Sequence, residues 1–104
     1  MLKVFGAKLS GTPFIHSKAR IQIPWNLTMR HRACLGECAN AYSLGKIEVL
    51  EGATVAQDAY LCTGTHNFHD PSLQLITKPI TIGANAFIGA RAMILPGIII
   101  GDQA

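Results

Sequence analysis

Ile82, Ile88, Ile94 and Ile100 stand six residues apart, and Ala86, Ala92 and Ile98 follow four places after the first three. A period of six matches neither the 3.6-residue repeat of an α-helix nor the alternation of a half-buried strand. Six residues make one short strand and its turn, so three units close a triangular coil whose aliphatic residues share an axis. Such coils stack. The frame continues backward through Val49, Val55 and Leu61 (with Ala53, Ala59 and Thr65), and through Met29, Leu35 and Ala41 (with Ala33 and Ala39). It starts at Leu9, Ile15 and Ile21, with Pro13 and Ala19 in the small positions. Slips of two residues near Gln22 to Thr28 and Gly45 to Glu48 read as turn insertions. Between His66 and Ile76 the frame lapses, and Asn67-Phe68-His69-Asp70-Pro71-Ser72 carries turn chemistry instead. The predicted architecture is all-β: a parallel β-helix prism of about five coils, one domain over residues 1–104, with a protruding loop near 67–75.

The hydrophobic content of 49% and the low charge suit a stacked aliphatic column. No apolar run reaches the length of a membrane span, and Met1 to Ser10 lacks a signal-peptide layout, so a cytoplasmic location is expected. In that setting Cys34, Cys38 and Cys62 are expected as free thiols with no redox or metal role. The net charge of +3 gathers only at Arg30-His31-Arg32. That cluster is either a solvated edge or a grip on an anionic substrate. A nucleic-acid partner is not expected, because it would need a wider basic stripe interleaved with aromatics. Asn85 reads as a turn residue in left-handed backbone conformation.

Fold alone does not determine function; the site residues do. The most specific string runs from Asp58-Ala59-Tyr60-Leu61-Cys62 into Thr63-Gly64-Thr65-His66. Asp70-Pro71 and Lys78-Pro79-Ile80-Thr81-Ile82-Gly83 follow it. With Pro24-Trp25-Asn26-Leu27 and Ile94-Leu95-Pro96-Gly97-Ile98, these segments resemble the left-handed β-helix acetyltransferases. Within that family they are similar to the branch that O-acetylates sugars in colanic acid and related exopolysaccharide synthesis. The resemblance covers nearly all of the chain. It also supplies the handedness, which the spacing does not demand.

The resemblance implies acetyl-coenzyme A as co-substrate, a sugar hydroxyl as acceptor, no metal, and a homotrimer with sites between neighbouring chains. His66, expected at a turn beside Gly64, is the implied catalytic base. Imidazole suits that role, since a hydroxyl attacks a thioester poorly unless its proton leaves as the bond forms. By similarity Ala90 offers its backbone N–H to the developing oxyanion, and Gly89 and Phe87 lie beside the cofactor. Phe87 equally suits aromatic packing between coils or subunits. Tyr42 and Asp70 are the implied acceptor contacts, although Asp70 before Pro71 is also an ordinary turn former. At Tyr42-Ser43-Leu44 the family usually reads Tyr-Asn-Leu, which implies that an acceptor-contacting amide is missing.

Relatives continue beyond the position of Ala104 with further coils and a turn that contacts coenzyme A. The expectation is therefore that a partner chain covers Ile98 to Ile100, or that the member is shortened with an incomplete cofactor site. Two other functions stay open. One is a non-catalytic scaffold prism, and the other a zinc hydrolase resembling the β-helical carbonic anhydrases, suggested by His31, His66 and His69.

Overall fold

The computed structural model describes residues 8–9, 11–66 and 75–104. Successive circuits of the chain lay one short strand on each of three faces. The first circuit places β1 (Lys8–Leu9), β2 (Phe14–Ile15) and β3 (Arg20–Ile21), and the second β4 (Leu27–Met29), β5 (Cys34–Leu35) and β6 (Asn40–Tyr42). The third places β7 (Ile47–Val49), β8 (Thr54–Val55) and β9 (Tyr60–Cys62), after which the chain leaves the column as β10 (Gly64–His66) and β11 (Leu75–Thr77). It returns through β12 (Ile80–Ile82), β13 (Phe87–Ile88), β14 (Met93–Ile94) and β15 (Ile99–Ile100). The faces are ordered β1-β4-β7-β12-β15, β2-β5-β8-β13 and β3-β6-β9-β14. All of these pairings are parallel, whereas β10 and β11 pair antiparallel. Among the described residues no α-helix occurs, and Pro24–Asn26 forms a 3-10 turn.

Strand register stacks like residues on like. Leu9, Met29, Val49, Ile82 and Ile100 lie one above another on the first face. Ile15, Leu35, Val55 and Ile88 do so on the second, and Ile21, Ala41, Leu61 and Ile94 on the third. The six-residue frame is thus the inner wall of the prism. From Leu27 to Ile88 its members are buried, while Leu9, Ile15, Ile21, Ile94 and Ile100 are partly covered at the two ends. Ala33, Ala39, Ala53, Ala59 and Ala86 fill the corners, where the column is narrowest. From β14 onward Met93, Leu95, Ile98 and Ile99 are exposed, Ile98 among them although it stands in a corner position.

The corners are not equivalent. From the first face to the second, and from the second to the third, the chain takes six residues between inward aliphatic positions in every circuit. From the third face back to the first it takes eight (Ile21 to Met29, Ala41 to Val49), then twenty-one (Leu61 to Ile82), then six (Ile94 to Ile100). The eight-residue returns are the two slips read in the sequence. Each adds an inward side chain, Leu27 or Ile47, and Ile80 matches them one circuit on. Every insertion therefore leaves the column along a single edge, and the hairpin β10–β11 belongs to it. Residues 67–74 of the expected loop lie outside the described residues, and Leu75 is strand.

At the six-residue corners beyond the first circuit the third residue after an inward aliphatic takes positive φ, among them Arg32 at 59°, Cys38 at 58°, Asp58 at 59°, Asn85 at 59° and Arg91 at 64°. A non-glycine residue pays roughly 1–2 kcal/mol for this conformation, so the stacking around each corner must over-determine it. Asn85 occupies the conformation expected of it.

Candidate active site

Two buried hydroxyls organise the edge that carries the insertions. Thr63 is fully buried, and its Oγ1 donates to the Tyr42 carbonyl at 2.6 Å while accepting from the Gly45 N–H at 2.9 Å. The Lys78 N–H closes the far side of the hairpin on the Thr63 carbonyl at 2.9 Å. One circuit below, Ser43 accepts from the Ile23 N–H at 3.1 Å and donates to the Ile23 carbonyl at 2.9 Å. The Asn26 amide then ties down the Ser43 and Leu44 carbonyls at 3.0 and 3.2 Å. These side chains replace the ladder bonds that an irregular corner cannot make for itself. Position 43 thus faces inward and serves the fold.

His66 is the last residue of β10, paired with Leu75, and Gly64 and Thr65 pair with Thr77 and Ile76. It therefore sits in a strand and not at the turn that was expected. Its hairpin is rooted directly after Thr63, whose hydroxyl holds the Tyr42 carbonyl. Tyr42 pairs in register with Cys62 on the outer side of the third face. There its ring meets Tyr60 edge-on with centroids 6.0 Å apart. Burial, helped by the Cys62 and Tyr42 groups beside it, pushes the Tyr60 phenol up from its ordinary value. Sequence reasoning missed Tyr60 as a partner of Tyr42. The register partner of Tyr42 is Cys62, twenty residues on, one circuit plus its insertion, and Tyr60 lies two residues before it on the same outer side of the face.

Phe87, Gly89 and Ala90 lie elsewhere. Phe87 points outward from the second face and is 61% exposed, and Gly89 and Ala90 form the corner between the second and third faces. Within one chain the third face separates this corner from the edge that bears His66. Among the described residues the Ala90 N–H donates no hydrogen bond, and a Cβ built at Gly89 meets nothing within 4 Å. The backbone at this corner is open to a close approach. Gly36 holds the same corner position two circuits earlier, and a Cβ there would come within 3.0 Å of the Val55 carbonyl and the Ala56–Gln57 backbone. Gly36→Ala should therefore cost about 1–3 kcal/mol through overpacking, and Gly89→Ala should stay within about 0.5 kcal/mol of the parent. Urea unfolding of the two variants checks this.

Other candidates fall away from this region. Arg30 pairs with Glu48 at 2.8 Å, and His31 Nδ1 accepts from the Thr12 N–H at 3.1 Å, so the basic cluster serves the corner between the first and second faces. His69 and Asp70 lie outside the described residues. Among the described residues no group of three or more His, Cys, Asp or Glu side chains could hold a metal ion. Cys34, Cys38 and Cys62 are free, and burial pushes the Cys34 thiol up. Because the thiolate is the nucleophile, iodoacetamide at neutral pH should label exposed Cys38 several-fold faster than Cys34, as peptide mass spectrometry would read. No helix among the described residues is long and apolar enough to cross a membrane.

Comparison with known proteins bears on the whole prism. Residues 79–104 match the family described as the hexapeptide repeat of succinyl-transferase. Over 102 residues the chain is 33% identical to WcaF of Escherichia coli strain K12, provisionally named a colanic acid biosynthesis acetyltransferase. That match covers 98% of this chain and 56% of WcaF, and the Shigella flexneri protein of the same name matches equally. The chain thus spans about half the length of the curated relatives it matches. In fold it resembles a maltose O-acetyltransferase from Clostridium difficile 630, with TM-score 0.84 and 23% identity over 97% of this chain and 56% of that one. It also resembles AntD, an N-acyltransferase from Bacillus cereus, with TM-score 0.76 and 18% identity over 98% of this chain and 71% of AntD. The AntD structure holds coenzyme A and dTDP-4-amino-4,6-dideoxyglucose.

Proposed function

Starting from the membership of this chain in the hexapeptide-repeat acetyltransferase family, we propose that it transfers an acetyl group from acetyl-coenzyme A to a sugar hydroxyl. The column is read as left-handed, with four complete circuits and the first strand of a fifth, in a cytoplasmic protein. The observation that carries the proposal is the separation of the two halves of the site. His66 and Tyr42 belong to one edge, and Phe87, Gly89 and Ala90 to the next corner round the prism. A closed ring of three chains brings the edge of one protomer against the corner of its neighbour, giving three equivalent sites. Sedimentation at micromolar concentration should give a trimer, and a monomer that still turns over would overturn this arrangement.

In the proposed reaction the acceptor hydroxyl lies against the His66 imidazole, which takes its proton as the oxygen attacks the thioester carbonyl. The carbonyl becomes a tetrahedral oxyanion facing the Ala90 N–H, a kind of donor whose loss typically costs about 3 kcal/mol. Collapse expels the coenzyme A thiolate, which recovers the proton from the imidazolium. The products are an acetyl ester and a free thiol, with no acyl-enzyme. Phe87 lies along the pantetheine, and Tyr42 and Asp70 contact the acceptor.

Thiol release from acetyl-coenzyme A, measured over free sugars, nucleotide sugars and amino acceptors, tests the proposal. Release that depends on a hydroxyl acceptor supports it. An absence of release with every acceptor, together with no coenzyme A binding, leaves a scaffold role. Gly89→Ala separates the two halves of the site further. It should weaken coenzyme A binding at least severalfold without altering the fold, because the added methyl would occupy space open to the cofactor.

A further inference from the structure

Along the edge from which the hairpin departs, an open groove of about 280 Å³ crosses three circuits. Asn26 contributes to it from one circuit, Leu44, Gly45 and Lys46 from the next, and Lys78 and Pro79 from the third. Its floor is fixed. The Asn26 amide holds the Ser43 and Leu44 carbonyls, the Ile80 N–H donates to the Lys46 carbonyl at 3.0 Å, and the Lys78 N–H donates to the Thr63 carbonyl at 2.9 Å. Gly45 is needed for the close approach of these segments, since a Cβ there would stand 3.3 Å from the Lys78 carbonyl. The Lys78 stem is directed along the next corner, where a Cβ on Gly97 would come within 3.3 Å of its Cδ.

Two lysines from different circuits therefore line one groove on a rigid floor. Neither makes an ion pair among the described residues, and the groove lining contains no carboxylate. Two ammonium groups lining one groove without a carboxylate make it favourable to an anion. Beside the groove, Trp25 precedes Asn26 and is 62% exposed. Its indole presents a flat apolar face to solvent. A groove of this volume lies at the low end for small-ligand sites, roughly 300–1,000 Å³. It has room for a diphosphate and one ring, but not for a whole nucleotide sugar.

We propose that this groove is a diphosphate subsite for the acceptor: the sugar is presented while still attached to a diphosphate, which Lys46 and Lys78 hold beside the hairpin. The inference rests on the acetyltransferase reading, because it assigns the groove to that reaction's acceptor. A nucleoside diphosphate sugar and a prenyl diphosphate sugar share this chemistry. With the former, Trp25 offers a face on which the base stacks.

Calorimetric titration with inorganic pyrophosphate, UDP-glucose, geranyl diphosphate and glucose tests the inference without any turnover. The diphosphates should bind, more weakly as salt rises, and glucose should not. The double variant Lys46→Gln/Lys78→Gln should lower diphosphate affinity at least tenfold, with an unchanged melting temperature and unchanged coenzyme A affinity. Trp25 is the sole tryptophan of the chain. Quenching of its emission by UDP-glucose but not by geranyl diphosphate points to the nucleotide carrier, and equal binding of both without quenching points to the lipid one. Diphosphate binding that the double variant leaves intact overturns the proposal. So does a loss confined to coenzyme A, which would assign the groove to the cofactor's own diphosphate. A failure of the acetyltransferase reading would appear instead as absent thiol release.

Discussion

Replacing His66 with alanine should lower acetyl transfer about 10²- to 10⁴-fold and leave coenzyme A affinity within about twofold. The asymmetry follows from the role proposed for the imidazole. A general base acts while the acceptor proton is leaving, so its contribution is felt in the transition state and scarcely in the bound ground state. The effect should therefore fall on kcat and on kcat/KM for the acceptor together. The acid limb of the pH–rate profile, where a protonated imidazole cannot take a proton, should vanish in the variant. His66 ends the strand β10, which pairs with β11 and not with any of the three parallel faces, so an unchanged urea midpoint is expected alongside the lost rate. Retention of transfer within tenfold of the parent would move the base to another residue. Loss of coenzyme A binding in parallel with rate would point to a structural role.

The inner wall of the prism could be read from the chain because each inward position imposes one requirement, an aliphatic or small side chain. The requirement recurs every six residues. Ile88 stacked on Val55 and Ile94 stacked on Leu61 are separate instances of it. The two-residue slips were equally visible, because they shift every later member of the frame. The hydroxyls at Ser43 and Thr63 were not. Their partners are backbone groups about twenty residues away, Ile23 for one and Tyr42 for the other, and no local pattern marks a polar side chain that closes on a neighbouring circuit. The division of the candidate site between neighbouring chains is implied by the family resemblance and not by the spacing. His66 and Ala90 both follow β-helical turns in the sequence, yet the three-sided winding sends them to different edges. Strand positions predict which face a residue takes, but not which edges of neighbouring copies meet.

The largest effect on stability from a small chemical change should come from Thr63→Val. The two side chains are nearly the same size, so little packing is lost. What disappears is a hydroxyl that donates to the Tyr42 carbonyl at 2.6 Å and accepts from the Gly45 N–H at 2.9 Å, at a position of no solvent exposure. Both backbone groups lose a partner that water cannot replace. An unsatisfied buried group costs about 1–3 kcal/mol, so a loss of about 2–4 kcal/mol is expected. Thr63→Ser keeps the hydroxyl and gives up only a methyl group, and should recover most of that difference. Because Thr63 also receives the Lys78 N–H that closes the hairpin, exchange at Lys78 and Gly45 should accelerate more than at Val55 in the middle of the column. Transfer activity should fall in Thr63→Val even at temperatures where the column stays folded, because the hairpin that carries His66 is rooted on this hydroxyl. If Val and Ser prove equally stable, the hydroxyl is dispensable. The corner must then be held by the aliphatic residues around it, Leu27, Ile47 and Ile80.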